Sequence, residues 1–155
     1  MIAEDRLGRL ADPGAFRCWA EDRLRFGDMD SQGHVNNAVY ATFCESGRIA
    51  LRDAPGHPPL PPGSGMVVVR FLINYIAELR WPGIVRTGTN LLAVGRSSLT
   101  MGHGVFRDDA CVATAESVTV LFDQATRRPR PLPDPVRDFL LRHHGLVGAP
   151  ASSDG

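Results

Sequence analysis

The sequence contains no lysine, and all 17 of its basic residues are arginine. Chemistry that needs the lysine amine, in a Schiff base or a Walker-type phosphate loop, is thereby excluded. Cysteine is scarce as well. Cys18, Cys44 and Cys111 are odd in number and widely spaced with no Cys-x-x-Cys pair, which argues against a disulfide framework or a zinc site and for reduced thiols in the cytoplasm. Net charge is missing, because 17 acidic residues balance the basic ones, so no global field favours nucleic acid or an anionic membrane. No apolar run approaches the roughly 20 residues that span a bilayer, and the first residues lack a signal-peptide layout. What is present, 155 residues of which 43% are hydrophobic, suffices for one domain around one core.

Periodicity divides the chain. Residues 1–15 mix charge, glycine and proline without a sustained period and read as a flexible leader; 16–145 read as a single domain, and 146–155 have the composition of a disordered tail. Arg17 to Phe26 is predicted as a first strand with Leu24 and Phe26 on one face. From Asn37 to Asp53 a helix is predicted, because Tyr40, Phe43, Cys44, Gly47 and Leu51 recur at steps of three and four. Ala54 to Gly65 holds five prolines and three glycines, the signature of a surface loop long enough to cover a site; His57 within it reads as a surface residue. Four strand-like runs follow, Met66 to Tyr75, Ile84 to Val94, Ser98 to Phe106 and Val112 to Phe122, separated by turn signals. Short hairpin connections make the sheet antiparallel and the class α+β. Asp134-Pro135 then looks like an N-cap with proline at the first helical position, opening a short helix with Val136, Phe139 and Leu140 as its apolar stripe.

The most informative stretch is Arg25-Phe-Gly-Asp28-Met-Asp30-Ser-Gln-Gly33-His34-Val-Asn36-Asn37-Ala38-Val-Tyr40. It delivers two carboxylates and a glycine turn onto a helix start, with Asn36 or Asn37 as N-cap. Free amides in the first turn of a helix favour negative charge, and an oxyanion forming on an attacked carbonyl is such a charge. A nearby carboxylate can act as base or nucleophile. Turn and cap duties alone would also explain Asp28, Asp30 and Asn36 taken singly.

The whole motif resembles the signature of hotdog-fold acyl-CoA thioesterases of the 4-hydroxybenzoyl-CoA thioesterase-like family, Asp-x-Asp-x-x-Gly-x-Val-x-x-x-x-Tyr, often with Gly-His-Val-Asn-Asn. The resemblance extends to the element order, one strand, one long helix and four strands. It implies a hotdog fold, an antiparallel sheet of about five strands wrapped around one long central helix, and hydrolysis of an acyl-CoA without cofactor or metal. By the same resemblance Asp30 is the catalytic carboxylate and Asp28 structural, while amides from Asn36 and Asn37 to Ala38 hold the oxyanion. Tyr40 then lines the acyl or pantetheine channel, His34 shapes the site, and Arg96, Ser97 and Ser98 contact CoA. Family members form dimers or tetramers with the site at the dimer interface, so a homodimer or homotetramer is expected.

Other groups compete for these roles. A second hotdog lineage takes its carboxylate from the central helix, where Glu45 stands; ion pairing with Arg48 or Arg52 explains Glu45 without catalysis. Arg127, Arg128 and Arg130 form a second basic cluster that could meet CoA phosphates. Cys44 has no basic neighbour to activate it and reads as packed and inert. An acyl-ACP thioesterase and a non-catalytic acyl-CoA-binding module are the rival functions, and retention of Asp30 argues against the second.

Overall fold

The runs rich in valine, threonine, leucine and isoleucine become strands in the computed structural model, which describes residues 8–145. They are β1 (Cys18–Arg23), β2 (Ser64–Tyr75), β3 (Ile84–Val94), β4 (Ser98–Arg107) and β5 (Ala110–Asp123). Every pairing is antiparallel, and the spatial order is β1-β3-β4-β5-β2. Helix α1 (Val39–Arg52) lies against β1, β3 and β4. Helix α2 (Asp134–His144) packs beside β3. This is the α+β hotdog arrangement.

Helix α1 buries Tyr40, Phe43, Cys44, Gly47 and Leu51, the stripe read from the spacing. Gly47 sets how closely the helix can seat. A Cβ there would stand 2.3 Å from Thr89 Oγ1 on β3, so any side chain would push the helix off the sheet. Beneath it His103 is fully buried, with Nδ1 at 3.0 Å from Thr89 Oγ1 and Nε2 at 2.8 Å from Ser117 Oγ. Burial, aided by the charge of Arg48, lowers the His103 pKa to about 3 and keeps the ring neutral. Cys44 is also fully buried, and burial pushes its thiol up to about 12, which leaves it unreactive.

Strand β2 is an edge. It exposes Val67, Val68, Val69, Leu72 and Tyr75, with Ile76 just beyond its end. An edge so apolar is a ready surface for pairing.

Several sequence expectations shift. The leader is not loose where it is described: Leu10 is fully buried and packs with Phe16, Leu92 and Phe106. The remainder of that expectation, over residues 1–7, and the tail expected over 146–155 lie outside the described residues. β1 stops at Arg23, and Phe26 does not share the buried face of Leu24. Phe26 instead begins a 3-10 turn, is 75% exposed and stacks edge-on against Trp81. The cause is Asp28, whose carboxylate accepts the Arg25 amide at 2.8 Å and so turns the chain. At α2 the cap is Pro133, not Asp134, which is the first helical residue.

Candidate functional site

The motif folds as a loop pinned by its own acids. Asp28 is buried, takes the Arg25 amide on Oδ2, and pairs through Oδ1 with the Arg25 guanidinium at 3.0 Å. Its carbonyl accepts the Asn36 amide at 2.9 Å. Asp28 is therefore a structural residue. Asp30 is half-buried one turn later. Its Oδ1 accepts the amides of Gln32 at 2.8 Å and His34 at 3.3 Å, and its own amide donates to His34 O at 2.8 Å. Oδ2 accepts no hydrogen bond from the described residues. Gly33, at φ +78°, makes the reversal that brings the His34 amide back onto the carboxylate.

The helix begins later than the two asparagines suggest. Asn36 Oδ1 accepts the Ala38 amide at 2.9 Å, and Asn36 O accepts the Val39 amide at 2.9 Å, so Asn36 closes a turn and Ala38 is the cap. This corrects the oxyanion assignment. Two of the three expected amides, those of Asn36 and Ala38, are already spent, and neither residue lines the cleft. The Asn37 amide donates to none of the described residues, and Asn37 does line it.

A cleft of about 400 Å³ gathers Asp30, Gln32, His34, Asn37 and Tyr40 with the strand end Tyr75-Ile76-Ala77-Glu78. Tyr40 is 2% exposed, and burial raises its phenol pKa. Tyr75 meets it edge-on at 5.0 Å and donates its hydroxyl to Asn37 O at 2.8 Å. That bond ties β2 to the helix start. His34 Nε2 lies 3.0 Å from Glu78 Oε2 and 2.9 Å from Arg80 Nη2, so its second nitrogen is engaged away from Asp30. Tyr75, Ile76, Ala77 and Glu78 escaped the sequence reading. They carry no motif, and only the fold places the end of β2 beside residues some 40 positions earlier.

Arg96, Ser97 and Ser98 fall elsewhere. They form the β3–β4 turn, held by Arg96 O to the Leu132 amide and by Ser97 O to the Leu121 amide, both at 2.8 Å. That turn lies at the opposite end of the sheet from Asp30, roughly the 20 Å length of the 14-residue helix away. At the same far end a second cavity, of about 270 Å³, lies between the last turns of α1, strands β2, β4 and β5, and α2. Glu45 lines this second cavity, not the first, so one chain does not bring it to Asp30. Nor does Glu45 form the ion pair expected of it: Arg52 pairs with Asp53 at 2.8 Å, and Arg48 has no carboxylate of the described residues within 4 Å. His57 is not surface decoration. It lines the second cavity and stacks on Phe139 at 5.2 Å.

Among the described residues no group of three His, Cys, Asp or Glu side chains is placed to hold a metal ion, and no helix is long and apolar enough to cross a membrane.

The sequence profile of the thioesterase-like superfamily matches residues 24–140. A thioesterase from Thermus thermophilus, solved in complex with coenzyme A and zinc, is 31% identical, with a TM-score of 0.71 over 84% of this chain and 96% of that one. A member of the thioesterase superfamily from Jannaschia sp. CCS1 is 26% identical, with a TM-score of 0.78 and 92% of each chain covered. A Pseudomonas aeruginosa protein at 22% identity and a TM-score of 0.77, covering 88% of this chain and 96% of its own, shares the fold.

Proposed function

This chain belongs to the thioesterase-like superfamily and is a thioester hydrolase, and we propose that its substrates are acyl-CoA thioesters, with Asp30 as the catalytic carboxylate. The observation that carries the assignment is the state of Asp30: one carboxylate oxygen is fixed by two amides while the other accepts no hydrogen bond from the described residues, and Asp30 lines a cleft together with Asn37, whose amide is likewise unspent. The free oxygen takes a proton from water as the water oxygen attacks the thioester carbonyl, or attacks that carbon itself to give an anhydride that water then opens. The carbonyl oxygen gathers negative charge against the Asn37 amide. The carbon–sulfur bond then breaks, the electron pair leaves with sulfur, and the proton ends on the thiol or the buffer. A thiol of pKa roughly 8.5 leaves without a strong general acid, so this sparse site suffices. The coenzyme A bound by the 31% identical Thermus protein supports CoA over a carrier protein as the acyl donor.

The reading includes a homodimer, with a tetramer as its further assembly. β2 runs from the second cavity, lined by Met66 and Val68, to the Asp30 cleft, lined by Tyr75 and Ile76. Two copies pairing antiparallel along this apolar edge about a two-fold axis exchange the ends. Each Asp30 cleft then adjoins the second cavity and the Arg96-Ser97-Ser98 turn of the partner subunit. Acyl group, thioester and CoA are accommodated in one continuous site only in that assembly. The protein's place is the reducing cytoplasm, in keeping with three free cysteines.

The test is release of free thiol from an acyl-CoA panel by wild type and Asp30→Asn. Loss of at least ~10²-fold in kcat is expected of the variant. Undiminished turnover would remove Asp30 from the mechanism.

A further inference from the structure

The second cavity has apolar walls and an unanswered charge. Leu51, Met66, Leu99, Met101, Leu132 and Val136 form most of its lining. Arg48 enters from the helix, and Thr119 from the sheet, where β5 sets it level with Val68 of β2 and Leu99 of β4. Arg48 Nη1 and Thr119 Oγ1 are both shielded from solvent and both without a hydrogen-bond partner among the described residues. A guanidinium nitrogen and a hydroxyl withdrawn from water are costly to leave unmet, and both belong to residues that line this one cavity.

The charges around this cavity decide the sign of the missing partner. Arg52 is neutralised by Asp53 at 2.8 Å. Glu45 is exposed, where solvent screens its attraction for Arg48, and has no cation of the described residues within 4 Å. Arg48 is the cation left without an ion pair, and its planar fork matches a carboxylate with two parallel bonds. Thr119 Oγ1 adds a neutral donor. Size sets the rest: a cavity of about 150 Å³ holds benzene, so about 270 Å³ takes a short chain with a terminal carboxylate.

Resting on the thioesterase reading, we propose that Arg48 and Thr119 are specificity residues that select acyl thioesters whose acyl group ends in a carboxylate. In the dimer of that reading the cavity adjoins the Asp30 cleft of the partner subunit, so the acyl chain runs from Asp30 of one subunit into this pocket of the other. The thioester carbonyl lies at one end and the distal carboxylate at Arg48. The hydrolysis itself is unchanged, and the product is a free dicarboxylate.

The experiment compares adipoyl-CoA with hexanoyl-CoA, which have the same six-carbon chain with and without the distal carboxylate. It uses the full-length wild type, Arg48→Met, which keeps the stem and removes the charge, and Thr119→Val. In wild type kcat/KM favours adipoyl-CoA. In Arg48→Met the ratio of the two kcat/KM values falls roughly ten- to a hundredfold, the effect of one charge-assisted contact, and in Thr119→Val it falls by less. Thermal shift with free adipate, against hexanoate at the same concentration, reads the pocket without turnover: adipate stabilises wild type and not Arg48→Met. If neither thioester is hydrolysed while adipate still binds through Arg48, the thioesterase reading fails and the carboxylate pocket stands. If wild type treats both thioesters alike and adipate gives no Arg48-dependent shift, the proposal is overturned, whatever becomes of the hydrolase activity. Should Arg48→Met prove unfolded, Thr119→Val and the wild-type preference decide alone.

Discussion

The two ends of helix α1 differ in how their polar groups are settled. At the N-terminal end one oxygen of Asp30 and the side-chain oxygen of Asn36 accept amides within a few residues, while the second Asp30 oxygen and the Asn37 amide have no partner among the described residues. At the C-terminal end the walls are mostly apolar, and a guanidinium nitrogen and a hydroxyl have no partner among the described residues. A densely self-bonded loop holds a reacting group in place, since each bond removes a way for it to move. An apolar cavity with an isolated charge selects what enters. On the proposed reading, chemistry and recognition lie a helix length apart in one chain, and a second chain would bring them together.

The largest loss is expected at the polar end, where Asp30→Asn should cost at least ~10²-fold in kcat with substrate binding largely kept. Single-turnover measurements beside steady-state kinetics separate the two. If Glu45→Gln abolished turnover while Asp30→Asn did not, the roles of the two ends would be reversed.

Less severe is the loss at the β3–β4 turn. Arg96→Ala should raise KM for acyl-CoA about ten- to a hundredfold with a smaller change in kcat, because a contact to the nucleotide is made equally in ground and transition states. Raised salt should shrink the difference. Equal weakening toward a truncated acyl-pantetheine thioester would detach Arg96 from the CoA phosphates and point to Arg127, Arg128 and Arg130.

How much of this the sequence disclosed follows the range of the interactions. The buried stripe of α1 and the five strands were legible because their period is local, and the turn built on Asp28 and Asp30 because its bonds span only two to four residues. Leu10 was not, being a single apolar residue among glycine, proline and charge whose burial depends on a distant sheet. Arg48 read as the ion-pair partner of Glu45 at a three-residue spacing. Only the packing of α1 on the sheet shows that Arg48 Nη1 is withdrawn from water and without a partner among the described residues. The asparagines were seen, but which amides they consume depends on φ and ψ values that no residue pattern specifies.

Between the two ends the core itself titrates. His103 is held neutral with a pKa of about 3, against 6.5 for a free imidazole, so the unfolded chain takes up a proton first as pH falls. Stability is full above pH 6.5 and declines steadily toward pH 3, by about 2 kcal/mol between pH 6.5 and 5. His144, whose pKa burial also lowers, acts in the same direction. Urea midpoints across that interval measure the slope, and a flat profile would show that His103 is not sealed under Gly47.

The smallest effect is expected at Glu45, whose exposed carboxylate lines the second cavity without a partner. Glu45→Gln should change kcat by less than about threefold, within the range of a surface charge. A loss comparable to that of Asp30→Asn, in steady-state assays of both, would make it a catalytic group supplied across the interface.

Whether each site takes Asp30 from one chain and the acyl pocket from the other is decided by subunit complementation. Asp30→Asn is co-expressed with Ile49→Trp, which fills the cavity of its own chain from the exposed face of α1, and the heterodimer is purified through two different tags. Each homodimer should be nearly inactive, whereas the heterodimer should recover about half of wild-type activity, because one of its two isologous sites is built from the two intact parts. A heterodimer no more active than its parents would contradict the shared site and return both halves of it to a single chain.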